Sequence, residues 1–300
     1  MTLTVAVTGG KGGAGKSVIA TNLAVTLSRM GYKVLLVDSD VDNPNDHLFL
    51  DVNLRRALPI TVFTPGIDLD NCIRCGKCSE VCLERAIMVE GEEPLVILDG
   101  ACSGCKACFY ACPRNAIYDR GRCIGYIHVA TRGNLRIMVG ELRPTEAKST
   151  LAVNKLVRVV REDVKREKYD FVVIDTSPGV HSAVIQALRI ADVAIAVTEP
   201  TPLGLSTIKS TIDVLKALKL SWIAFINKST LSDLYRNELL KTCSEAGAQT
   251  TFEMPYDEEV FKINMSYKLL VESEHPLRQV LVSLAEYIVN TCLRNKLNVE

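Results

Sequence analysis

Two stretches of this chain carry residues whose types and spacing do chemistry. From Gly9 to Ser17 the sequence reads GGKGGAGKS, and Gly10, Gly15, Lys16 and Ser17 fit the pattern G-x4-G-K-[ST]. Glycines let backbone amides fold around phosphates, Lys16 brings a cation to the β/γ oxygens, and Ser17 offers a hydroxyl to Mg²⁺. The second stretch holds eight cysteines in two copies of C-x2-C-x2-C-x3-C: Cys72, Cys75, Cys78 and Cys82, then Cys102, Cys105, Cys108 and Cys112, followed by Pro113. This spacing holds [4Fe–4S] clusters. Three thiolates on one tight loop cap three irons of a cube, and the fourth iron takes a ligand from elsewhere. The copies are offset by 30 residues, and the match runs past the ligands, since Ala86-Ile87 corresponds to Ala116-Ile117. Such self-similarity implies a module with pseudo-twofold symmetry.

That module resembles the bacterial-type two-cluster ferredoxins. The resemblance implies two [4Fe–4S] clusters with crossed ligation, one held by Cys72, Cys75, Cys78 and Cys112, the other by Cys102, Cys105, Cys108 and Cys82. One departure is Leu83, which stands after Cys82 where the pattern has proline. Other uses of cysteine fit poorly. A zinc site takes four ligands, usually as two C-x2-C pairs with a longer stretch between them. Disulfides need an oxidising compartment, and Met1 to Gly10 has no basic segment and runs straight into glycines, unlike a signal peptide. A reducing, cytoplasmic setting is therefore expected. Cys123, Cys243 and Cys292 lack partner spacing and read as small apolar core residues.

Bulk properties narrow the partners. The chain has 300 residues, 48% of them hydrophobic, enough for one large domain or two modest ones. It has no apolar run of about eighteen residues, so no membrane span is expected, and its last helix lacks the Lys/Arg stripe of a membrane-surface helix, so a membrane partner is not expected either. Lys+Arg and Asp+Glu both total 35. That balance argues against nucleic acid, which demands a basic excess. Lys165 to Lys168 reads as the solvated face of a helix end.

The elements around the phosphate motif fit their task. Leu3 to Thr8 is a β-rich apolar run, and after Ser17 the residues Ile19, Leu23, Ala24 and Leu27 recur at helical spacing. Gly31 ends that helix, and Lys33 to Val37 reads as the next buried strand. With its second lysine, the loop from Lys11 to Ser17 resembles the deviant P-loop of the MinD/ParA ATPases, a family that includes the nitrogenase iron protein and iron–sulfur scaffold ATPases. The resemblance implies that Gly10, Lys11, Gly12, Gly13, Ala14, Gly15, Lys16 and Ser17 bind ATP. It also implies that Lys11 reaches the partner subunit's nucleotide in an ATP-dependent homodimer.

Asp38, Asp40 and Asp42, which close the strand and enter SDVDNPN, then resemble the family's first switch. Asp175, ending the run Phe171–Ile174, resembles a Walker B residue, and Gly179 belongs to a second switch. In these terms Lys11, Lys16, Asp38 and Asp40 are catalytic, and Ser17, Asp38 and Asp175 hold Mg²⁺. Glu199-Pro200-Thr201-Pro202 also matches the family. Base choice follows from Thr230, which stands where a GTPase needs a carboxylate to accept from guanine. Adenine is expected, with Asn227 as its partner and Pro255, Tyr256 and Asp257 closing over it.

The expected fold class is α/β, a doubly wound parallel sheet with ligands at the carboxyl ends of its strands. Residues 1–64 and 121–300 are expected to form the ATPase domain and residues 65–120 an inserted α+β ferredoxin-like domain. Pro276 to about Asn295 reads as an amphipathic helix that packs Leu277, Val280, Leu281, Leu284, Ile288 and Cys292 on the sheet. No histidine falls in a catalytic or metal pattern. The function expected is an ATPase whose nucleotide state is coupled to electron transfer through two clusters, with a redox or apo-iron–sulfur protein as partner. Cluster assembly or delivery is the alternative, and a non-enzymatic ferredoxin with a structural nucleotide is a third reading.

Overall fold

The computed structural model describes residues 2–10, 12–89 and 96–293. In chain order the strands are β1 (Leu3–Thr8), β2 (Val34–Asp38), β3 (Arg55–Val62), β4 (Pro65–Ile67), β5 (Ile87–Met88), β6 (Val96–Ile97), β7 (Ile117–Asp119), β8 (Arg122–Arg132), β9 (Leu135–Leu142), β10 (Phe171–Asp175), β11 (Val193–Thr198), β12 (Ser221–Asn227) and β13 (Thr251–Met254). The helices are α1 (Lys16–Arg29), α2 (Asp46–Phe49), α3 (Lys77–Glu80), α4 (Ala107–Ala111), α5 (Ser149–Glu167), α6 (Ser182–Leu188), α7 (Pro202–Ala217), α8 (Asp233–Glu245), α9 (Glu258–Met265) and α10 (Arg278–Tyr287). None of the described helices is long and apolar enough to cross a membrane.

The chain divides into two units. The first comprises residues 1–58, 127–141 and 149–300, the second residues 59–126 and 142–148. A nine-stranded sheet runs in the order β13-β12-β11-β1-β10-β2-β9-β8-β3. The fold is mixed α/β, and parallel pairing dominates: β13 through β9 pair in parallel at every junction. Strands buried on both faces read as near-continuous apolar runs, and LTVAVT, FVVID and VAIAVT in the middle of the order do so. Register sets the site. Val7 lies beside Asp175, and Asp175 beside Asp38.

Helix α1 follows β1 after the glycine loop and buries Ile19, Leu23, Ala24 and Leu27. It stops at Gly31, whose φ of +94° suits glycine. In α5, Ala152, Val153, Leu156 and Val160 form the buried stripe, and Lys165–Lys168 lies at its solvated end. The terminal segment is α-helical only over Arg278–Tyr287 and widens into a π turn over Ile288–Leu293. Leu281, Leu284, Ile288 and Cys292 join the main core, with Leu277 and Val280 packed at its edge. Residues 294 and 295 of the expected helix lie outside the described residues. Cys243 is also buried, whereas Cys123 is half-buried and donates its thiol to the Gly125 carbonyl.

The second unit repeats itself in backbone conformation as well as sequence. Arg74 and Gly104, Gly76 and Lys106, and Arg85 and Asn115 are pairs 30 residues apart, and all six have left-handed φ. Strand β4 pairs with β7 through Ile67 and Ile117, while β6 pairs with β5 through Ile97 and Ile87. Each pair thus joins the strand before one cysteine loop to the strand after the other. The amide of Asp68 donates to the Ala116 carbonyl at 2.8 Å, as Leu98 does to Ala86 at 2.8 Å. Phe63, Ile87, Cys108 and Ile117 form a small core of their own.

Candidate functional site

The glycine loop leaves β1 and opens α1 without a side-chain cap, so the first amides of the helix face the loop. Such amides, with the helix dipole behind them, favour an anion. Two glycines are there because nothing larger fits. A Cβ on Gly9 would lie 2.3 Å from the Val197 carbonyl oxygen, and one on Gly10 2.5 Å from the Thr207 Cβ. From the neighbouring strand end, the Asn227 amide donates to the Ala14 carbonyl at 2.9 Å. Lys228 spans the loop and the end of β11, donating to the Gly13 carbonyl at 3.4 Å and pairing with Glu199 at 3.1 Å. Lys11 lies outside the described residues.

Lys16 is buried, and burial lowers its pKa against the opposing pull of Asp175 and Asp40. A desolvated ammonium held this way is matched to an anionic ligand. Ser17 donates its hydroxyl to Asp175 Oδ2 at 2.6 Å. Burial pushes the Asp175 carboxyl up to about 7. Asp38 accepts from the amides of Asp40, Asn45 and Asp46 at 2.9–3.1 Å, which folds the segment after β2, expected to be the first switch, around its carboxylate. Burial first and Asp175 second push Asp38 well above the usual carboxylate range. Asp40 is less enclosed; burial raises its pKa and Lys16 lowers it. Asp42 turns away to accept from the Ser149 hydroxyl.

The structure adds a residue that the sequence reading passed over. Asp46, the first residue of α2, is fully buried, and neither carboxylate oxygen has a hydrogen-bond partner. Asp38, Asp46 and Asp175 bring a carboxylate oxygen each to within 4.8 Å of one another. Asp175 Oδ1 is also unpartnered. Three buried carboxylates cannot all ionise without a cation or protons among them. A divalent cation beside Ser17 and Asp175 fits these donors, since hard cations take carboxylate and hydroxyl oxygens. The only hint in the sequence was that Asp46 lies four residues after Asp42 in the same acidic stretch.

A cleft of about 530 Å³ opens over the loop, lined by Gly12, Gly13, Lys16, Ser17 and Asp40 on one side and by Asn264 and Tyr267 on another. That size suits a small ligand. Tyr267, with no sequence signal of its own, packs edge-to-face on Phe49. In the segment expected to be a second switch, Gly179 has φ +94° and donates its amide to the Gly9 carbonyl at 3.3 Å. Ser177 and His181 lie 3.3 Å apart there. Of the residues expected at the base, Asn227 is committed to the loop, and Thr230 accepts from the Tyr256 amide at 3.0 Å. Asp257 caps α9, accepting from Glu259 and Val260, and Pro255 sits between β13 and that cap.

In the second unit the cysteines gather around two cavities. One is lined by Cys72, Cys75, Cys78 and Cys112, the other by Cys82, Cys102, Cys105 and Cys108. Each therefore takes three thiols from one copy of the motif and the last from the other. Two sulfurs accept backbone amides in matching ways, Cys82 from Ala86 and Cys112 from Ala116, both at 3.2 Å. Burial raises the Cys78 thiol and pushes Cys108 up to about 11. Four soft donors around one cavity, two such cavities, and amides aimed at sulfur fit iron–sulfur clusters, whose properties depend on hydrogen bonds to sulfur.

A family model described as the CobQ/CobB/MinD/ParA nucleotide binding domain matches residues 5–270. An uncharacterised protein of Methanocaldococcus jannaschii is 30% identical over 289 residues, covering 95% of this chain and 97% of its own. A Pyrococcus abyssi protein named iron-sulfur cluster carrier protein is 24% identical over 300 residues, covering 95% of this chain and 85% of its own. Among solved structures, the septum site-determining protein MinD of Pyrococcus horikoshii, complexed with Mg-ADP, is similar with a TM-score of 0.59 at 21% identity, covering 97% of each chain. That last likeness is one of fold.

Proposed function

Because the chain belongs to the CobQ/CobB/MinD/ParA nucleotide-binding family, we propose that it binds and hydrolyses ATP and couples the nucleotide state to electron transfer through two resident [4Fe–4S] clusters. What carries the cluster reading is the crossed gathering of eight thiols into two sets of four. Full ligation inside one chain suits a cluster that stays and carries electrons. A cluster meant to leave is better served by fewer ligands shared between subunits.

At the nucleotide site the loop amides and Lys16 hold the phosphates, and Ser17, Asp38 and Asp175 would hold a Mg²⁺ that would neutralise charge on the phosphate oxygens. Asp38 and Asp40 orient the attacking water. Lys11 completes the partner subunit's site in an ATP-dependent dimer, and Thr230, lacking a carboxylate, leaves the base site to adenine. Nucleotide is sensed where the first switch segment donates its amides to Asp38, because Asp38, Asp46 and Asp175 would hold a cation and Asp38 would then share its carboxylate between that cation and the segment. Coupling requires that ATP and ADP differ in affinity for two conformations that also differ at the clusters.

A second reading, ATP-dependent delivery of a cluster to an apo-protein, is favoured by full-length similarity to a protein named as an iron–sulfur cluster carrier. One experiment separates the two. Anaerobically purified protein is held with ATP or ADP while cluster potentials and electron-transfer rates are measured, and an apo-acceptor is then added. A nucleotide-dependent change with iron retained supports electron transfer. Unchanged potentials with iron moving to the acceptor establish delivery instead.

A further inference from the structure

The repeat makes each half of the cysteine unit a control for the other. Whatever cluster binding demands should recur 30 residues on. The cysteines recur, and so do the left-handed positions and the strand pairs. The charges do not. Arg74, Lys77 and Arg114 line the first cavity, and no carboxylate does so among the described residues. Their equivalents at the second cavity are Gly104, Ala107 and Glu84. That cavity is lined by one cation, Lys106, and one anion, Glu84. Lys106 also lies over the Phe63 ring, 5.7 Å from its centre.

The three cations of the first cavity are exposed, and none has a side-chain hydrogen bond or ion pair among the described residues. Cys75 is exposed between them. Ile73, 59% exposed, lines the same cavity where the second has Ser103. Since the second half gathers its four thiols without such a collar, the collar serves something other than holding a cluster. Unpaired surface cations around an apolar centre match the anatomy of a protein interface. They attract an anionic partner and orient it on encounter.

We propose that Arg74, Lys77 and Arg114 form the docking face for an acidic, low-potential one-electron carrier protein, so that electrons enter through the first cluster. This rests on the two-cluster reading. The step is a single electron transfer: the reduced carrier loses one electron, the oxidised first cluster gains it, and no bond or proton changes. The cations offset the repulsion between an acidic carrier and an anionic thiolate-ligated cluster.

The test uses the anaerobic holoprotein, with a dithionite-reduced acidic bacterial ferredoxin as the donor. Stopped-flow rates are compared at low and at about 0.15 M ionic strength. The bimolecular rate should fall as salt rises, and R74E/K77E/R114E should slow it at low salt by about tenfold or more. The neutral variant R74Q/K77Q/R114Q should fall between, and Glu84→Lys should slow nothing. Iron content and the spectra of the reduced clusters should be those of the wild type. Rates within about twofold of the wild type, with clusters intact, overturn the inference. So does a variant that keeps its rate but loses binding to a single-stranded oligonucleotide, because the collar's partner is then a nucleic acid. A wild-type chain purified without iron fails at the earlier step and removes the two-cluster reading itself.

Discussion

The oxygen site and the thiol site of this molecule are built in opposite ways. Lys16, Asp38, Asp175 and Asn227 come from four separate stretches of chain and meet because parallel register sets their strand ends side by side. The thiol cavities draw three of their four sulfurs from a single loop, and only Cys112 or Cys82 has to cross. The difference follows from the ligands. Phosphate and a hard cation call for amides, an ammonium and carboxylates together, and separate strand ends and a helix start have to bring these groups to one place. Thiols around a cluster cavity need little beyond spacing and a tight turn. One site therefore depends on the whole sheet and the other on a local repeat.

Substitutions should separate the two sites, the largest effect coming first. Lys16→Ala removes the buried cation at the phosphates and should weaken ATP binding by at least about 100-fold, leaving iron content unchanged. Calorimetry with ATP beside iron analysis reads both, and parallel loss of iron would show that the sites are not independent. Cys112→Ala, alone and combined with Cys72→Ala, tests the crossed assignment: iron should drop from roughly eight to roughly four per chain in both, with ATP binding retained. Loss of nearly all iron from the double variant would return Cys112 to the second copy of the motif.

Lys11→Ala should leave nucleotide bound but abolish ATP-dependent dimerisation and reduce hydrolysis by about 10³-fold or more. Sedimentation with and without ATP decides it, and a variant that still dimerises ends that assignment.

The smallest effect belongs to Asp46. Its folded-state pKa lies well above the ordinary value, chiefly through burial, then through Asp38 and Asp175. A carboxyl raised in the fold costs nothing while both states are protonated. The cost grows as pH rises past the unfolded value of about 4. Asp46→Asn should therefore stabilise the nucleotide-free protein at pH 7 by a few °C, each kcal/mol being worth about 2–4 °C in a chain of this class. Near pH 4 the gain should vanish. A gain that is equal at both pH values would place the effect in packing.

The sequence was enough to determine whatever is local. The glycine pattern, the strand before it and the helix after it were legible because each depends on residue type and short spacing. So was the cysteine repeat. The solvated end of α5 at Lys165–Lys168 and most of the terminal helix were legible for the same reason, though the π turn after Tyr287 was not.

What lay beyond the sequence is set by distance in the fold. Nothing in SDVDNPND separates Asp46, sealed beside Asp38 and Asp175, from Asp42, which faces outward to Ser149. That distinction arises only when α2 begins against the ends of β2 and β10. Asn227 read as a partner for adenine, and only the fold shows its amide donating to the loop backbone, a bond between residues 213 positions apart. The charge collar needed both kinds of knowledge: the repeat names equivalent positions, and only the folded unit shows which of them share a cavity. Burial and register are collective properties of the packed sheet, and a one-dimensional pattern records neither.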